Sequence, residues 1–172
     1  MKTHQLFSLV ALLFAATISV NAYAAPPTVV LTTASLNAQD INQGTSGAVV
    51  YATFMKVTDN STTVTSIKFK IDGTFDNNDL TNVYIYFNPS SPVISGASYL
   101  GGATATFEAG HKYTININRS MAEGTSGYFI VTVNLSSSAN DNKKININGA
   151  TDPVAFDFSG SKNLTDNQSN KA

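Results

Sequence analysis

Cysteine and tryptophan are absent from this chain, arginine occurs once (Arg119), and glutamate only at Glu108 and Glu123. The missing cysteines exclude disulfides, thiolate nucleophiles, thiolate metal ligands and a lipid-modified N-terminal cysteine together. Charge is scarce as well. Charged residues make up 12% of the chain and the formal net charge is −1, so no basic field attracts nucleic acid or anionic lipid. Histidine is confined to His4 and His111, too few for a histidine-based metal site without cysteine to help. What is plentiful is Asn, Ser, Thr and Gly among β-branched and aromatic residues. Such a surface is uncharged and rich in hydrogen-bonding groups, and suits an extracellular scaffold or contact surface better than catalysis.

The first residues read as an export signal. Lys2 and His4 precede an almost unbroken apolar run from Leu6 to Val20, and Ala22-Tyr23-Ala24 supplies the small residues of a cleavage site. The run is shorter than the ~20 residues that a bilayer-spanning helix requires. Residues 1–24 are therefore expected to be a cleaved signal peptide, with no membrane anchor in the mature protein, which is placed outside the cell or on its surface. The expected organisation continues with an extended, β-rich leader (25–36), one domain (37–160) and a polar, frayed tail (161–172).

Within the domain the dominant period is two. Apolar residues share one face in Ile67-Lys68-Phe69-Lys70-Ile71, in Val83-Tyr84-Ile85-Tyr86-Phe87, in Tyr113 to Ile117 and in Phe129 to Val133. Ile145-Asn146-Ile147 and Phe156-Asp157-Phe158 are shorter versions, and Thr28 to Leu36 and Ala48 to Val57 are β-rich. Turn formers separate them, among them Asp72-Gly73, Asn88-Pro89-Ser90, Gly101-Gly102 and Asn140-Asp141-Asn142. A single helical turn is expected only at Asp76 to Leu80. The pattern predicts an all-β fold: an antiparallel β-sandwich, Ig-like or jelly-roll-like, of about 8–9 strands. A short echo supports it, since Gly44-Thr45-Ser46-Gly47 and Gly124-Thr125-Ser126-Gly127 each launch an apolar strand. The glycines are expected to take positive φ and reverse the chain.

Several of these segments resemble a known module. Gln43-Gly44-Thr45-Ser46-Gly47, Val64 to Phe69, Asp72-Gly73-Thr74-Phe75, Asp79-Leu80-Thr81-Asn82, Glu123 to Val133 and Ala155 to Phe158 occur in the order found in the β-sandwich at the N-terminus of BNR-repeat sialidases. Similar modules occur in secreted and cell-surface proteins of bacteria. The resemblance spans roughly Leu36 to Gly160 and implies a sandwich fold and an accessory, non-catalytic role. It does not imply sialidase activity. Those enzymes grip a carboxylate with three arginines, and their repeats centre on an Asp-x-Gly-x-Thr-Trp pattern; this chain has one arginine and no tryptophan.

Three groups of residues are candidate sites. Asp72, Asp76 and Asp79 form the one acidic cluster, an oxygen-rich loop able to bind calcium; the competing reading is a wide turn in which Asp76 or Asp79 caps one helical turn. Tyr84 and Tyr86 share a strand face and offer an aromatic platform for a glycan or other partner, extended by Tyr51 or Tyr99; the competing reading is cross-strand pairing. Val29, Val30, Leu31 and Leu36 in the leader are candidates for self-association by strand addition to a neighbour's sheet edge. No catalytic residues are assigned. His111 has no Gly-x-Ser-x-Gly partner and reads as an exposed turn residue, and a glycosidase cleft without tryptophan is a poor fit to the two glutamates. The leading expectation is a non-catalytic structural protein that associates with other copies of itself into a filament or matrix. A carbohydrate-binding or adhesive module is the alternative.

Overall fold

The computed structural model describes residues 24–105, 110–148 and 152–169, so the expected signal peptide lies outside the described residues apart from Ala24. Ten strands and no helix make up the described chain: β1 (Thr28–Thr33), β2 (Ala48–Thr58), β3 (Thr62–Gly73), β4 (Leu80–Asn88), β5 (Ser98–Thr104), β6 (Lys112–Met121), β7 (Ser126–Leu135), β8 (Ile145–Asn148), β9 (Val154–Phe158) and β10 (Asn163–Asn167). They form an all-β sandwich of two sheets. One has six strands in the order β10-β1-β2-β7-β4-β5. The other is built around β3, with β6 on one side and β8 and β9 sharing the other.

The alternating residues do what their period demands. Val83, Ile85 and Phe87 of β4, Phe129, Val131 and Val133 of β7, and Ile67, Phe69 and Ile71 of β3 all turn inward and are buried. Aromatic rings knit the two sheets together: Phe129 meets Phe87 at 5.1 Å and Phe156 at 5.3 Å, both edge to face. The lone arginine belongs to the same junction. Its guanidinium carbon lies 3.9 Å from the centre of the Phe87 ring, joining β6 to β4, a cation–π contact. Charge is divided unevenly between the sheets. β3, β6 and β9 carry Lys68, Lys70, Asp72, Lys112, Arg119 and Asp157, whereas β4, β5 and β7 carry no charged residue.

Five segments differ from expectation. The helical turn expected at Asp76 to Leu80 is a single hydrogen-bonded turn, closed by the Asp79 N–H on the Asp76 carbonyl at 3.0 Å, and Leu80 already opens β4. Gly101-Gly102, read as a turn, lies inside β5. Those glycines accommodate neighbours: a Cβ at Gly102 would stand 2.3 Å from the Tyr84 ring, and one at Gly101 would stand 3.0 Å from Ile115. The echoed turns are not equivalent. Gly44, Gly47 and Gly124 take positive φ, but Gly127 does not, and it is small because the Phe87 ring lies against it. The segment read as an extended leader is built into the sheet as β1, antiparallel to β2. Finally, the polar tail is not frayed up to Ser169. It forms β10, which pairs parallel to β1, and this is the one parallel ladder among the described strands of a sandwich expected to be antiparallel.

Candidate functional site: an inserted strand and an aromatic sheet face

Strand β1 occupies a slot between β2 and β10. Period two sends Val29 and Leu31 into the interior, where both are 0% exposed. Val30 and Thr32 face outward, opposite Lys56 and Phe54 of β2, and are partly exposed. Leu36 lies beyond the strand and is partly exposed. The four residues grouped in the sequence as a self-association element therefore divide: Val29 and Leu31 fill the slot, Val30 lines the outer surface and Leu36 belongs to the linker.

A polar stop marks the end of the slot. The Thr33 hydroxyl lies 2.6 Å from the Tyr51 hydroxyl, donates to the Ser169 carbonyl at 2.8 Å and accepts the Ser169 N–H at 2.7 Å. Burial pushes the Tyr51 hydroxyl above its ordinary pKa, with Asp166 adding to the rise and the Thr33 bond opposing it. Beside it, buried Gln168 ties the sheets together. Its amide oxygen accepts from Thr53 at 2.7 Å, and its amide nitrogen donates to the Val154 carbonyl at 2.7 Å and to Asp166 at 3.0 Å. Because Thr33 can meet these partners at one position only, the cluster fixes the strand's register; a one-residue slip would also turn Val29 and Leu31 outward.

The connection from β1 to β2 is unusual. Adjacent antiparallel strands need only 2–5 loop residues as a rule, yet residues 34–47 intervene here. Gln43 donates to the Ala139 carbonyl at 2.6 Å and Gly44 to the Ser136 carbonyl at 2.9 Å, anchoring the second half. Residues 37–40 of the first half are exposed throughout.

The tyrosines of β4 form a cluster with one member from β5. Tyr84 and Tyr86 lie 6.4 Å apart, and Tyr99 stands 5.9 Å from the first and 5.7 Å from the second, all edge to face. Tyr99 is the most exposed, at 58%. Tyr51, the other candidate for this group, is buried and belongs to the slot. On the same outer face Phe54 of β2 meets Tyr128 of β7 at 5.1 Å. Ile130, in register with Tyr86 and Ala52, is fully buried there.

The acidic loop is engaged in structure. Asp79 is buried and accepts from the N–H of Asp76 at 2.7 Å, from the N–H of Asn140 at 2.8 Å and from its side-chain amide at 3.1 Å. Burial pushes its carboxyl up, but these bonds and the nearby Lys143 outweigh burial and leave it below the ordinary value. Asp76 pairs with Lys143 at 3.0 Å and accepts from Asn140 at 3.0 Å. Asp72 points elsewhere, accepting from the Gly73 N–H at 2.9 Å and lying 3.6 Å from Lys70. Asp72, Asp76 and Asp79 thus do not converge, and no group of three His, Asp or Glu able to hold a metal occurs among the described residues. His111, expected to be an exposed turn residue, is partly buried, with its ring edge-on to Phe75 at 5.1 Å.

No protein-family model matches this chain, and no curated protein matches it. Its function has to be read from its own residues.

Proposed function

We propose that the protein is a secreted, non-catalytic structural subunit that self-associates by exchanging β1 between copies. One observation carries this reading: a strand with two fully buried apolar side chains is joined to its neighbour by a linker far longer than the pairing requires. A strand held in this way has two homes of equal quality, its own slot and the identical slot of a second copy. Every contact made in the first is remade in the second, so exchange costs little beyond the entropy of association. The polar stop at Thr33, Tyr51 and Ser169 would receive a neighbour's strand in the same register. If each subunit gives its strand to the next, the contact is head-to-tail and builds an open chain. The chain's shortage of histidine, glutamate and arginine, and its lack of cysteine, supports the non-catalytic part of the reading.

The test is competition by a synthetic peptide spanning residues 25–36. Added in excess during refolding, it should occupy free slots and shorten the assemblies seen by electron microscopy and light scattering, in proportion to its concentration. The same peptide with Leu31→Asp should have no effect, because a carboxylate cannot enter the apolar slot without a large desolvation cost. Assemblies indifferent to the peptide, or a protein that stays monomeric at every concentration, would refute strand exchange.

A further inference from the structure

The outer face of the six-stranded sheet is built unlike the rest of the surface. β4, β5 and β7, which form half of it, carry no charged residue. Their outward positions follow from the register. Tyr84 stands level with Thr132 and Gly102, Tyr86 with Ile130 and Tyr99, and Asn82 with Asn134 and Thr104. The face is therefore a band of aromatic rings beside a rim of amides and hydroxyls. The Phe54–Tyr128 pair continues the band onto β2.

Two details show how the band is held. Gly102 clears space on β5 so that the Tyr84 ring can lie across its backbone, which holds the ring at the sheet surface. Beneath it, Thr132 is fully buried and its hydroxyl has no hydrogen-bond partner among the described residues. The opposite outer face is polar and charged, with Lys68 paired to Asp157 at 2.6 Å.

We infer that this face binds a neutral polysaccharide. The chemistry of the two partners matches. Sugar rings present C–H faces that pack on aromatic rings, and their hydroxyls need amide and hydroxyl partners of the kind that Asn82 and Thr104 supply; the Asn134 amide oxygen beside them already accepts the Gly47 N–H at 2.8 Å. The uncharged strands β4, β5 and β7 give no electrostatic reason to hold an anionic polymer and little to attract a charged peptide. The edge-to-face tilt of the tyrosines, 67° to 74° between planes, makes the surface ridged. A ridged surface fits a chain of separate rings better than a flat sheet from a second copy. This inference is independent of strand exchange, since Tyr84, Tyr86 and Tyr99 lie on strands away from the β1 slot.

The experiment uses the full secreted chain and affinity electrophoresis through gels containing a neutral β-glucan, a neutral α-glucan, a mannan or, for contrast, a polyuronate. At least one neutral polymer should retard the protein, and retardation should survive raised salt because no ion pair is involved. Tyr99→Ala, at the most exposed ring, should weaken retention about fivefold to tenfold while leaving the melting temperature unchanged. Lys68→Ala on the opposite face should leave retention intact. The inference fails if no neutral polymer retards the protein, if only the polyuronate does, or if Tyr99→Ala is silent. It fails equally if Tyr99→Ala abolishes dimerisation with no glycan bound, since the face would then be an interface between copies.

Discussion

Asp79 is a useful residue to start from, because its carboxylate is spent entirely on holding the chain. It closes the 76–79 turn and binds the backbone of Asn140 across the fold. Asp79→Ala would leave the N–H groups of Asp76 and Asn140 without their acceptor, at a cost of about 1–3 kcal/mol each, less whatever water restores. Urea titration of the variant at neutral pH should show this loss. The pH dependence has a definite sign. The folded carboxyl sits below its ordinary value of 3.8, so its contribution is complete above that value and disappears as pH falls through the folded one. The gap between wild type and Asp79→Ala should therefore narrow on acidification below about pH 4. The sequence offered Asp79 as the cap of a helical turn; no helix forms there, but its carboxylate does close the 76–79 turn. The calcium reading needed Asp72, Asp76 and Asp79 to converge, whereas only Asp76 and Asp79 meet, on the Asn140 amide, and Asp72 turns to Gly73 and Lys70. Tyr84 and Tyr86 were legible because a strand with apolar residues on one side shows its other side plainly. Tyr99 could be named only as an option, since the strand carrying it has no alternation. Gly102→Ala should report on that cluster. The added methyl would have to displace the Tyr84 ring or backbone, costing about 1–3 kcal/mol and changing the tyrosine fluorescence.

Strands are legible in proportion to how strongly one face is buried. β3, β4, β6 and β7 alternate because each packs one side on the interior, and all were anticipated. β5 was missed because its glycines, which answer to the Tyr84 and Ile115 side chains, look like a turn when read alone. β10 was missed because Asn163-Leu164-Thr165-Asp166-Asn167 is an edge strand with little buried apolar surface, held by its parallel ladder to β1. Edge strands are recognised by their partner, and partners are not written locally. β1 was legible as a strand, but its place in the sheet was not, because a linker of this length hides which neighbour it pairs with. Leu31→Ala should cost about 2–5 kcal/mol in monomer stability by denaturant titration, as expected for a fully buried leucine. Val30→Ala, facing outward, should cost well under half of that. If strand exchange reuses the slot, the same order of effects should hold for assembly.

At the scale of the molecule, a sandwich with no disulfide and little charge relies on its core and on its edges being managed. The six-stranded sheet ends in β10 on one side and β5 on the other, and the slot beside β10 is where the chain's own first described strand resides. Fold class was readable because period two recurs along the whole domain. The topology was not, since it depends on long-range pairings such as β1 with β10 and β2 with β7.

The absence of native cysteine makes strand exchange directly measurable. Val30 and Lys56 are outward-facing register partners on β1 and β2, so Val30→Cys with Lys56→Cys places two thiols side by side, within reach of a disulfide. In a closed monomer the bond forms within one chain; between exchanged copies it forms from one chain to the next. Assembled protein oxidised and run on a denaturing, non-reducing gel should give a ladder of covalent multimers that reductant collapses to one band. A single monomer band from assembled, fully oxidised protein would contradict strand exchange.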